Sequence, residues 1–499
     1  MDLINKKEIT CIIPYGSAEN MAKTVNTLKS CERVGNLFIV CPVGVEPDTD
    51  DLLPKCCRLV SIGVLQQTQT WKKIITYIDT PFTLLYNKDL PLQIGAYAIE
   101  RMMQVMINTD SGTVYTDRYT IKKGLRQPHP VNDYQEGSLR DDFDFGSLLL
   151  YRSSTLIDAV NEMEIEYESA ALYDLRLKMS QQKNLFHLPE FLYTELETDL
   201  RKSGVKIFDY VDPKNRQVQM EMEMVCTRYL KDIGAWLKPE FAPVDFSMES
   251  FPVEATVVIP VHNRDKTIAE AVQSVLIQET GFQFNIIVVD NHSTDQTTEI
   301  LRELAANDSR LIHLIPDRND LGIGGCWTEA VMHPQCGKFA VQLDSDDLYI
   351  DKHTVQTIVD AFYEQNCAMI VGTYKMVNFQ LEEIPPGIID HKEWTHENGR
   401  NNALRINGLG APRAFYTPIL REIKIPNTSY GEDYAVGLAI SRNYRIGRIY
   451  HPLYLCRRWE GNSDASLDVY KQNAHNYYKD CIRTIELRAR KKKRLTVNG

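Results

Sequence analysis

The chain has 499 residues and an ordinary globular composition, with 43% hydrophobic and 25% charged residues. At roughly 100–250 residues per domain, this length predicts two or three domains. The net charge of −11 argues against a general nucleic-acid binder, which needs an excess of Lys and Arg to contact phosphates. The chain has no run of about 18 apolar residues and no apolar signal segment at its start, so we expect a cytoplasmic protein. The eleven cysteines lack paired metal-type spacing, which favours reduced thiols.

In the first half, three short apolar runs predict buried strands at residues 9–14, 37–41 and 82–86. Residues 217–236 predict a helix, because apolar side chains repeat there at helical intervals, and a Pro-containing linker follows. We therefore predict a first domain over residues 1–205, a helical linker over 206–252 and a second domain over 253–499.

The second half alternates strand and helix patterns. Buried strands are predicted at 255–260, 284–290 and 339–344, with helices at 269–278 and 295–306 between them. Such alternation is typical of parallel βαβ units, which bind ligands beyond the carboxyl ends of their strands. Pro260, Asp290 and Asp344 end these three strands, so we expect them to converge on one crevice.

The two halves carry these landmarks in the same order, which favours a tandem duplication of one α/β fold over two unrelated α/β domains. In the alignment that we favour, Cys41 stands at the position of Asp290, and Tyr86 and Lys88 stand at those of Asp344 and Asp346. Asp174 falls two residues away from the position of Asp433. We therefore predict that the first domain is catalytically silent and serves packing or acceptor binding.

The strongest chemical signal is the acidic sequence Leu343-Asp-Ser-Asp-Asp347 at the end of a predicted strand. In an extended chain Asp344 and Asp346 point the same way, and two such carboxylates repel each other unless a cation joins them. A hard divalent ion suits these oxygen ligands and can take further oxygens from a diphosphate. The pattern thus predicts a metal and diphosphate site, whereas a solvated turn is the plainer interpretation.

Two other acidic positions have competing interpretations. Asp290 can accept a hydrogen bond from a nucleotide base, while the following Ser-Thr-Asp sequence is typical of helix capping. Glu432 and Asp433 are compatible with an acidic first helical turn favoured by the macrodipole. They are equally compatible with a general base and an accessory carboxylate at an acceptor hydroxyl.

Four segments together resemble the family-2 glycosyltransferases of GT-A fold: residues 260–264, 289–295, 343–347 and 431–433. The resemblance runs from about residue 255 to about residue 466. It implies a UDP- or GDP-sugar donor, a Mg or Mn ion and inversion at the anomeric carbon. It also implies that Asp290 contacts the base, that Asp344 and Asp346 belong to the metal and donor site, and that Asp433 is the catalytic base. The fold expected is therefore α/β, with two tandem GT-A-like domains of mostly parallel sheet.

Further donor and acceptor positions come from the motif residues and from side-chain chemistry, since Arg can pair with diphosphate oxygens and Gly permits close backbone approach to a ligand, although a plain turn is the alternative for the glycine loop. The donor set is Pro260, His262, Asn263, Arg264, Asp290, Asp344, Arg457, Arg458 and Trp459, and the acceptor loop contains Gly408 and Gly410. The chain departs from the family in several places: His262 replaces the usual Tyr, Trp459 replaces a His that can serve the metal, and residues 326–328 replace the usual Ala-Arg-Asn. Residues 461–464 are expected to form a lid over the donor.

The expected activity is transfer of a sugar to an acceptor hydroxyl in polysaccharide or glycoconjugate synthesis, with a carbohydrate or lipid-linked acceptor. Two alternatives stay open: a sugar-nucleotide nucleotidyltransferase, and a non-catalytic carbohydrate-binding scaffold. The basic run at residues 488–494 is interpreted as a solvated helix end or as a peripheral contact with anionic lipid headgroups.

Overall fold

The computed structural model describes residues 7–45, 57–196, 215–247, 249–459, 462 and 467–497. The chain divides into two compact units. Unit one contains the described residues up to 196, residues 215–233 and Asp468–Thr484, and unit two contains Gly234–Leu467 and the residues from Ile485 onward. The helix that we predicted as a linker therefore lies in unit one, and the last part of the chain is shared out between both units.

Unit one is an α/β structure. Its described strands are β1 (Ile9–Pro14), β2 (Val34–Cys41), β3 (Cys57–Ser61), β4 (Phe82–Tyr86), β5 (Leu92–Ile94), β6 (Thr113–Lys122), β7 (Leu125–His129), β8 (Leu148–Arg152) and β9 (Leu185–Leu196). Its described helices are α1 (Ala18–Lys29), α2 (Thr68–Ile74), α3 (Ala98–Thr109), α4 (Ser153–Asn161), α5 (Ala171–Gln182) and α6 (Arg216–Asp232), with a short 3₁₀ helix at Ile75–Tyr77.

Unit two has the same kind of composition. Its described strands are β10 (Ala255–Val261), β11 (Phe284–Asp290), β12 (Leu311–Leu314), β13 (Phe339–Gln342), β14 (Leu348–Tyr349), β15 (Met369–Val377), β16 (Glu383–Ile389), β17 (Arg413–Tyr416) and β18 (Ile446–Arg457). Its helices are α7 (Ile268–Leu276), α8 (Thr297–Asn307), α9 (Ile323–Met332), α10 (Thr354–Gln365), α11 (Gly399–Asn402), α12 (Thr417–Ile423) and α13 (Glu432–Asn443), and helix α14 (Val469–Val497) ends the described chain.

The two sheets have one topology. The order in the first is β3-β2-β1-β4-β8-β6-β9-β5, and in the second it is β12-β11-β10-β13-β17-β15-β18-β14. Each strand of unit one thus has a counterpart nine strands later, including β7 and β16, which pair outside the main path. This correspondence confirms the predicted tandem arrangement.

Both sheets are mixed, which corrects the expectation of mostly parallel strands. β1 pairs in parallel with β2 and β4, as β10 does with β11 and β13. The next strand, β8 or β17, then runs antiparallel to its neighbours. The predicted strands are the buried, β-branched runs at the centre of the parallel half, where both faces of the sheet are covered.

Helices cover the sheets through amphipathic faces. In α7, Ile268, Ala271, Val272 and Val275 are buried at helical spacing, whereas Glu270 faces outward. Among the described residues, the structure contains no helix with the length and apolarity needed to cross a membrane.

The strand register corrects our alignment of the acidic positions. Ile9 pairs with Phe82 in unit one, and Ala255 pairs with Phe339 in unit two. Counting from these pairs places Asn87 at the position of Asp344 and Asp89 at that of Asp346. Our placement of Tyr86 and Lys88 there was therefore wrong by one residue.

The other two comparisons between the units agree with the sequence. Pro14 pairs with Val40 in unit one, and Pro260 pairs with Val289 in unit two. The next residues, Cys41 and Asp290, therefore occupy equivalent positions. Helices α5 and α13 both have twelve residues, so Leu172 takes the position of Asp433.

The basic run lies on α14 within unit two. The Arg490 side chain is fully buried, and its Nε lies 2.7 Å from Oε1 of Glu486. Lys493 donates to the carbonyl oxygen of Arg442 at 2.9 Å. These two cations are therefore held by the protein itself, and headgroup contact stays a prediction for the others.

Candidate active site

One cavity of about 330 Å³ lies in unit two beyond the carboxyl end of β13. Pro260 at the end of β10, Asp344 and Asp346 after β13, and Glu432 and Asp433 at the start of α13 all line it. The cavity thus brings together the two acidic pairs that the sequence singled out. Its volume is within the usual range of ligand pockets.

The first acidic group follows β13 directly. Hydrogen bonds hold both the backbone and the side chain of Asp344. Its backbone N–H donates to Oη of Tyr454 at 3.0 Å, and its Oδ1 accepts from Nε2 of Gln342 at 2.9 Å. Burial and the neighbouring Asp346 raise the pKa of Asp344, while Arg413 and Gln342 oppose the shift. A carboxyl group whose pKa is raised by a like charge is one that a cation would stabilise as the anion.

The side chains of Trp459 and Asn462 hold the carboxylate of Asp346. Its Oδ2 accepts from Nε1 of Trp459 and from Nδ2 of Asn462, both at 3.2 Å, and Nε of Arg264 lies 3.8 Å away. Trp459 thus orients a carboxylate through its N–H, a role that differs from the metal contact of the His it replaces. The indole has no lone pair to give a cation.

The third member of this acidic run also lines the cavity, but its carboxyl group is tied to the backbone. Asp347 is buried, and its Oδ1 accepts from the backbone N–H of Arg457 at 2.7 Å. Burial, together with the charges of Asp344 and Asp346, raises its pKa well above the ordinary range. We therefore assign Asp347 to holding β18 in place.

The second acidic group begins helix α13. Gly431 caps this helix with a positive φ of 79°, a conformation that glycine adopts without strain. Glu432 and Asp433 form the first turn, where the helix dipole favours negative charge. The side chain of Asp433 also accepts from the backbone N–H of Tyr434 at 2.7 Å, which fixes its direction.

An arginine that we did not single out pairs with Asp433. Nη1 of Arg413, at the start of β17, lies 2.7 Å from Oδ2 of Asp433 and donates to the carbonyl oxygen of Gly410 at 2.9 Å. Burial lowers the pKa of Arg413, but the charges of Asp433, Asp344 and Glu432 more than compensate, so the guanidinium stays charged.

Glu432 lies in a different environment from its neighbour. Burial and the charge of Asp433 raise its pKa to about 7, although Arg413 opposes the shift. Within the described part of the chain its Oε2 is buried without a hydrogen-bond partner. The Glu432 carboxyl group thus changes charge near neutral pH.

The cavity wall is acidic overall. Its lining includes five carboxylate side chains (Asp344, Asp346, Asp347, Glu432 and Asp433) and three guanidinium groups (Arg264, Arg413 and Arg458). Carboxyl groups outnumber guanidinium groups there, and a divalent cation would offset the negative charge that a diphosphate adds. No group of three or more metal-ligating side chains occurs among the residues described. Asp344 and Asp346 supply two carboxyl groups, and a site of this type needs further oxygen ligands from substrate phosphates.

Asp290 is not part of the cavity lining. It is fully buried, and its carboxylate accepts from the N–H of Ser293 at 3.0 Å, the hydroxyl of Thr298 at 2.6 Å and the ring of His313 at 3.2 Å. Burial opposes ionisation, but these hydrogen bonds hold its pKa far below the usual range. A base contact would have to use a lone pair that these donors leave, so that role stays a prediction.

The remaining predicted donor residues fall into two groups. Pro260, Arg264 and Arg458 line the cavity. His262 and Asn263 instead join the neighbouring loop, since Nδ1 of His262 lies 2.8 Å from the carbonyl oxygen of Asn291 and Asn263 bonds Thr294 at 3.2 Å.

Arg457 points away from this lining. Its side chain is buried and its Nη1 lies 2.5 Å from Oε2 of Glu270. Neither Gly408 nor Gly410 lines the cavity, although the carbonyl of Gly410 positions Arg413. The predicted lid at residues 461–464 lies outside the described residues except for Asn462.

The sequence analysis missed part of the lining. Gln342 and Arg413 come from paired strands, and Ile323 and Trp327 come from one face of α9. The residue two positions before Asp344 on β13 points to the same side of the strand, a signal that would have identified Gln342. No comparable signal marks Arg413.

Comparison with known proteins finds a family model that matches part of unit two. Residues 256–421 match the model of glycosyl transferase family 2. An uncharacterized glycosyltransferase of Haemophilus influenzae is 27% identical over 247 residues, which cover 45% of this chain and 71% of that protein.

The UDP-Glc:alpha-D-GlcNAc-diphosphoundecaprenol beta-1,3-glucosyltransferase WfgD of Escherichia coli is 28% identical over 219 residues, covering 44% of this chain and 81% of its own. Among solved structures, TarS 1–349 of Staphylococcus aureus with UDP-GlcNAc has 25% sequence identity and a TM-score of 0.36, and the match covers 47% of this chain and 71% of that one.

Proposed function

Because residues 256–421 form a glycosyl transferase family 2 domain, we propose that unit two transfers a sugar from a nucleotide-sugar donor to an acceptor hydroxyl, with inversion and with help from Mg or Mn. The observation that carries this proposal is the presence of both acidic pairs, Asp344 with Asp346 and Glu432 with Asp433, in one cavity. The first pair follows β13, where the donor would bind, and the second pair begins α13, which would supply the base.

In this proposal the donor diphosphate lies at the end of β13. Asp344 and Asp346 would hold the metal ion, which neutralises charge on the nucleoside diphosphate leaving group. Arg264 and Arg458 line the same cavity and can pair with phosphate oxygens. The hydrogen bonds from Trp459 and Asn462 keep Asp346 directed toward that position.

Asp433 is the proposed base. Inversion in a single step needs a carboxylate on the face of the sugar opposite the leaving group, where it removes the proton from the attacking hydroxyl. Asp433 begins a different element from the metal pair, and its contacts with Arg413 and the N–H of Tyr434 fix its position. General-base help of this kind contributes about 10²–10⁴ in rate.

Glu432 is the second candidate for the base. Its raised pKa of about 7 and its unpartnered Oε2 are properties of a group suited to proton transfer near neutrality. We assign it the accessory role, because the family resemblance places the base at Asp433 and neighbours on a helix do not share a face.

The acceptor is proposed as a carbohydrate or a lipid-linked carbohydrate. The name of the WfgD relative includes a lipid diphosphate acceptor, which makes that class the first to try. The nucleotidyltransferase alternative lacks support at the first loop, where Val261-His-Asn-Arg-Asp265 contains no glycine.

The test is a panel of UDP- and GDP-sugars incubated with the full chain, with Mn, with Mg or with EDTA. Release of nucleoside diphosphate that requires the metal supports the proposal. Release of pyrophosphate would favour the nucleotidyltransferase, and no release from any donor would favour a binding scaffold. Proton NMR of the product gives the anomeric configuration, and retention would contradict the single-step mechanism.

A further inference from the structure

A second cavity, of about 340 Å³, lies in unit one. Five of its lining positions match positions in the cavity of unit two by strand register or helix start: Leu85 with Gln342, Asn87 with Asp344, Leu149 with Arg413, Tyr151 with Phe415 and Leu172 with Asp433. The two cavities therefore occupy the same place in the same fold.

The match at α5 is supported by a shared hydrogen bond. The hydroxyl of Tyr173 donates to the backbone carbonyl of Leu139, and that of Tyr434 donates to the backbone carbonyl of Ala403 at 2.6 Å. Each tyrosine is the third residue of its helix. This common anchor fixes Leu172 at the position of the proposed base.

The chemistry of transfer is missing from this cavity. Leucines replace the glutamine, the arginine and the base, and Asn87 replaces a metal-binding carboxylate. The side chain of Lys88, next to Asn87, pairs with the buried Glu195 at 2.8 Å. A partly apolar cavity thus remains, with fewer charged side chains (Asp141, Asp144 and Arg176) than the cavity of unit two.

We propose that this cavity of unit one binds a neutral saccharide without transforming it. Phe145 is a half-buried aromatic ring in the lining, and aromatic rings pack against the C–H face of a sugar. Asn87, Asp141 and Arg176 add an amide, a carboxylate and a guanidinium, which can hydrogen-bond to sugar hydroxyls from the same wall.

Arg176 in the lining and Arg118 behind it each have one buried N–H donor to spare. Within the residues described, Nε of Arg176 and Nη1 of Arg118 have no hydrogen-bond partner. Gly146 belongs to the cavity lining, and Nη1 of Arg118 lies 3.5 Å from the position that a Cβ atom on Gly146 would occupy. Such donors favour a ligand rich in oxygen acceptors. The net charge of the lining is too small to select a diphosphate.

Saccharide binding here does not depend on catalysis in unit two. The further role, in which the bound saccharide is the acceptor or the product, rests on the proposed function. The two statements have separate tests, because binding is measured without a donor and transfer is measured with one.

The experiment is saturation-transfer NMR on the full chain with the methyl glycosides of glucose, galactose, mannose and N-acetylglucosamine. UDP, GDP and Mg, which is diamagnetic, are present in excess, so that the donor cavity of unit two is occupied. We expect transfer of saturation to at least one glycoside. The signal should persist in Asp344→Asn, which alters only the cavity of unit two.

The matched variants are Asn87→Trp and Asn108→Trp. Asn87 is an exposed residue of the cavity wall, so a tryptophan there would close the entrance, whereas Asn108 is exposed on the outer face of α3. We expect Asn87→Trp to lose the signal and Asn108→Trp to keep it, with both melting like the parent. Asp141→Ala provides a second, smaller change that should weaken binding.

Two results would overturn the proposal: no signal from any of the four glycosides, or a signal that survives in both Asn87→Trp and Asp141→Ala. A signal that disappears in Asp344→Asn would also contradict it, because the binding would then belong to unit two. If binding is found but no donor is hydrolysed, the proposed function fails while the binding site stands.

Discussion

Nη1 of Arg413 lies 2.7 Å from Oδ2 of Asp433, in a cavity whose lining includes four more acidic side chains. This ion pair fixes the proposed base, and the same guanidinium opposes the raised pKa values of Asp344 and Glu432. Arg413→Gln removes the charge but keeps a hydrogen-bond donor. We expect the rate constant for transfer to fall about 10- to 100-fold, equivalent to ~1.4–2.7 kcal/mol. Arg413→Lys should recover part of the loss, and equal rates in all three proteins would contradict this role.

A pair of isosteric variants distinguishes the roles of Asp433 and Glu432. Asp433→Asn keeps the shape of the site but cannot accept a proton, so we expect turnover to fall by about 10²–10⁴ while donor binding is preserved. Glu432→Gln should reduce turnover much less. Initial rates and calorimetric donor affinities provide the measurement. A larger loss in Glu432→Gln would transfer the base role to Glu432.

Asp346 and Asp89 occupy equivalent positions in the two units, which makes them a matched pair. Asp346→Asn removes one of the two proposed metal ligands, so we expect the Mn-dependent rise in melting temperature with a nucleotide sugar to disappear. Asp89→Asn should leave both that rise and turnover unchanged. A collapse of turnover in Asp89→Asn would show that unit one takes part in catalysis.

Asp174 is a buried carboxyl group in unit one that should make stability depend on pH. Burial raises its pKa from 3.8 to about 6, although Lys178 and Arg228 oppose the shift. The folded state therefore holds this proton more tightly than the unfolded state. The stability associated with the proton is fully present below the unfolded pKa and is lost as the pH rises through about 6.

Asp174→Asn removes this ionisation while keeping the shape of the side chain. We expect the variant to be more stable than the parent at about pH 8, by an amount on the order of 3 kcal/mol, and the advantage to shrink toward about pH 4. Urea unfolding at a series of pH values measures the difference. A constant difference across that range would mean that the carboxyl group titrates normally.

Much of the fold could be predicted from the apolar runs. Residues 255–260 and 284–290 were predicted as strands, and the structure has strands at Ala255–Val261 and Phe284–Asp290. Such strands are covered on both faces, so their sequences are continuously apolar and easy to recognise. The antiparallel half of each sheet carries weaker patterns, which is why we expected mostly parallel strands.

The one-residue error at β4 has a physical cause. The run 82–86 ends in a tyrosine that is as buried as the residues before it, so the sequence does not mark where the counterpart of Asp344 stands. Only pairing with β1 and β10 fixes that register. Register between distant strands is set by contacts that a single run of residues does not contain.

Arg413 shows the same limit for the site. It reaches the cavity because β17 pairs with β13 across more than 70 residues of chain, with its N–H donating to Oε1 of Gln342 at 3.0 Å. Acidic pairs close in sequence carry their own chemical signal. A single arginine on an antiparallel strand has none until the sheet is formed.

The position of helix α14 at the end of the chain affects how the protein folds during its synthesis. In unit one, Ser138 and the backbone N–H of Gly137 bond Asp480 and Thr484 of this helix at 3.0 and 2.8 Å. N-terminal domains generally fold first during synthesis. Here the first unit waits for a segment that is translated after the whole sheet of the second, so the nascent chain must carry an incomplete unit one while unit two assembles.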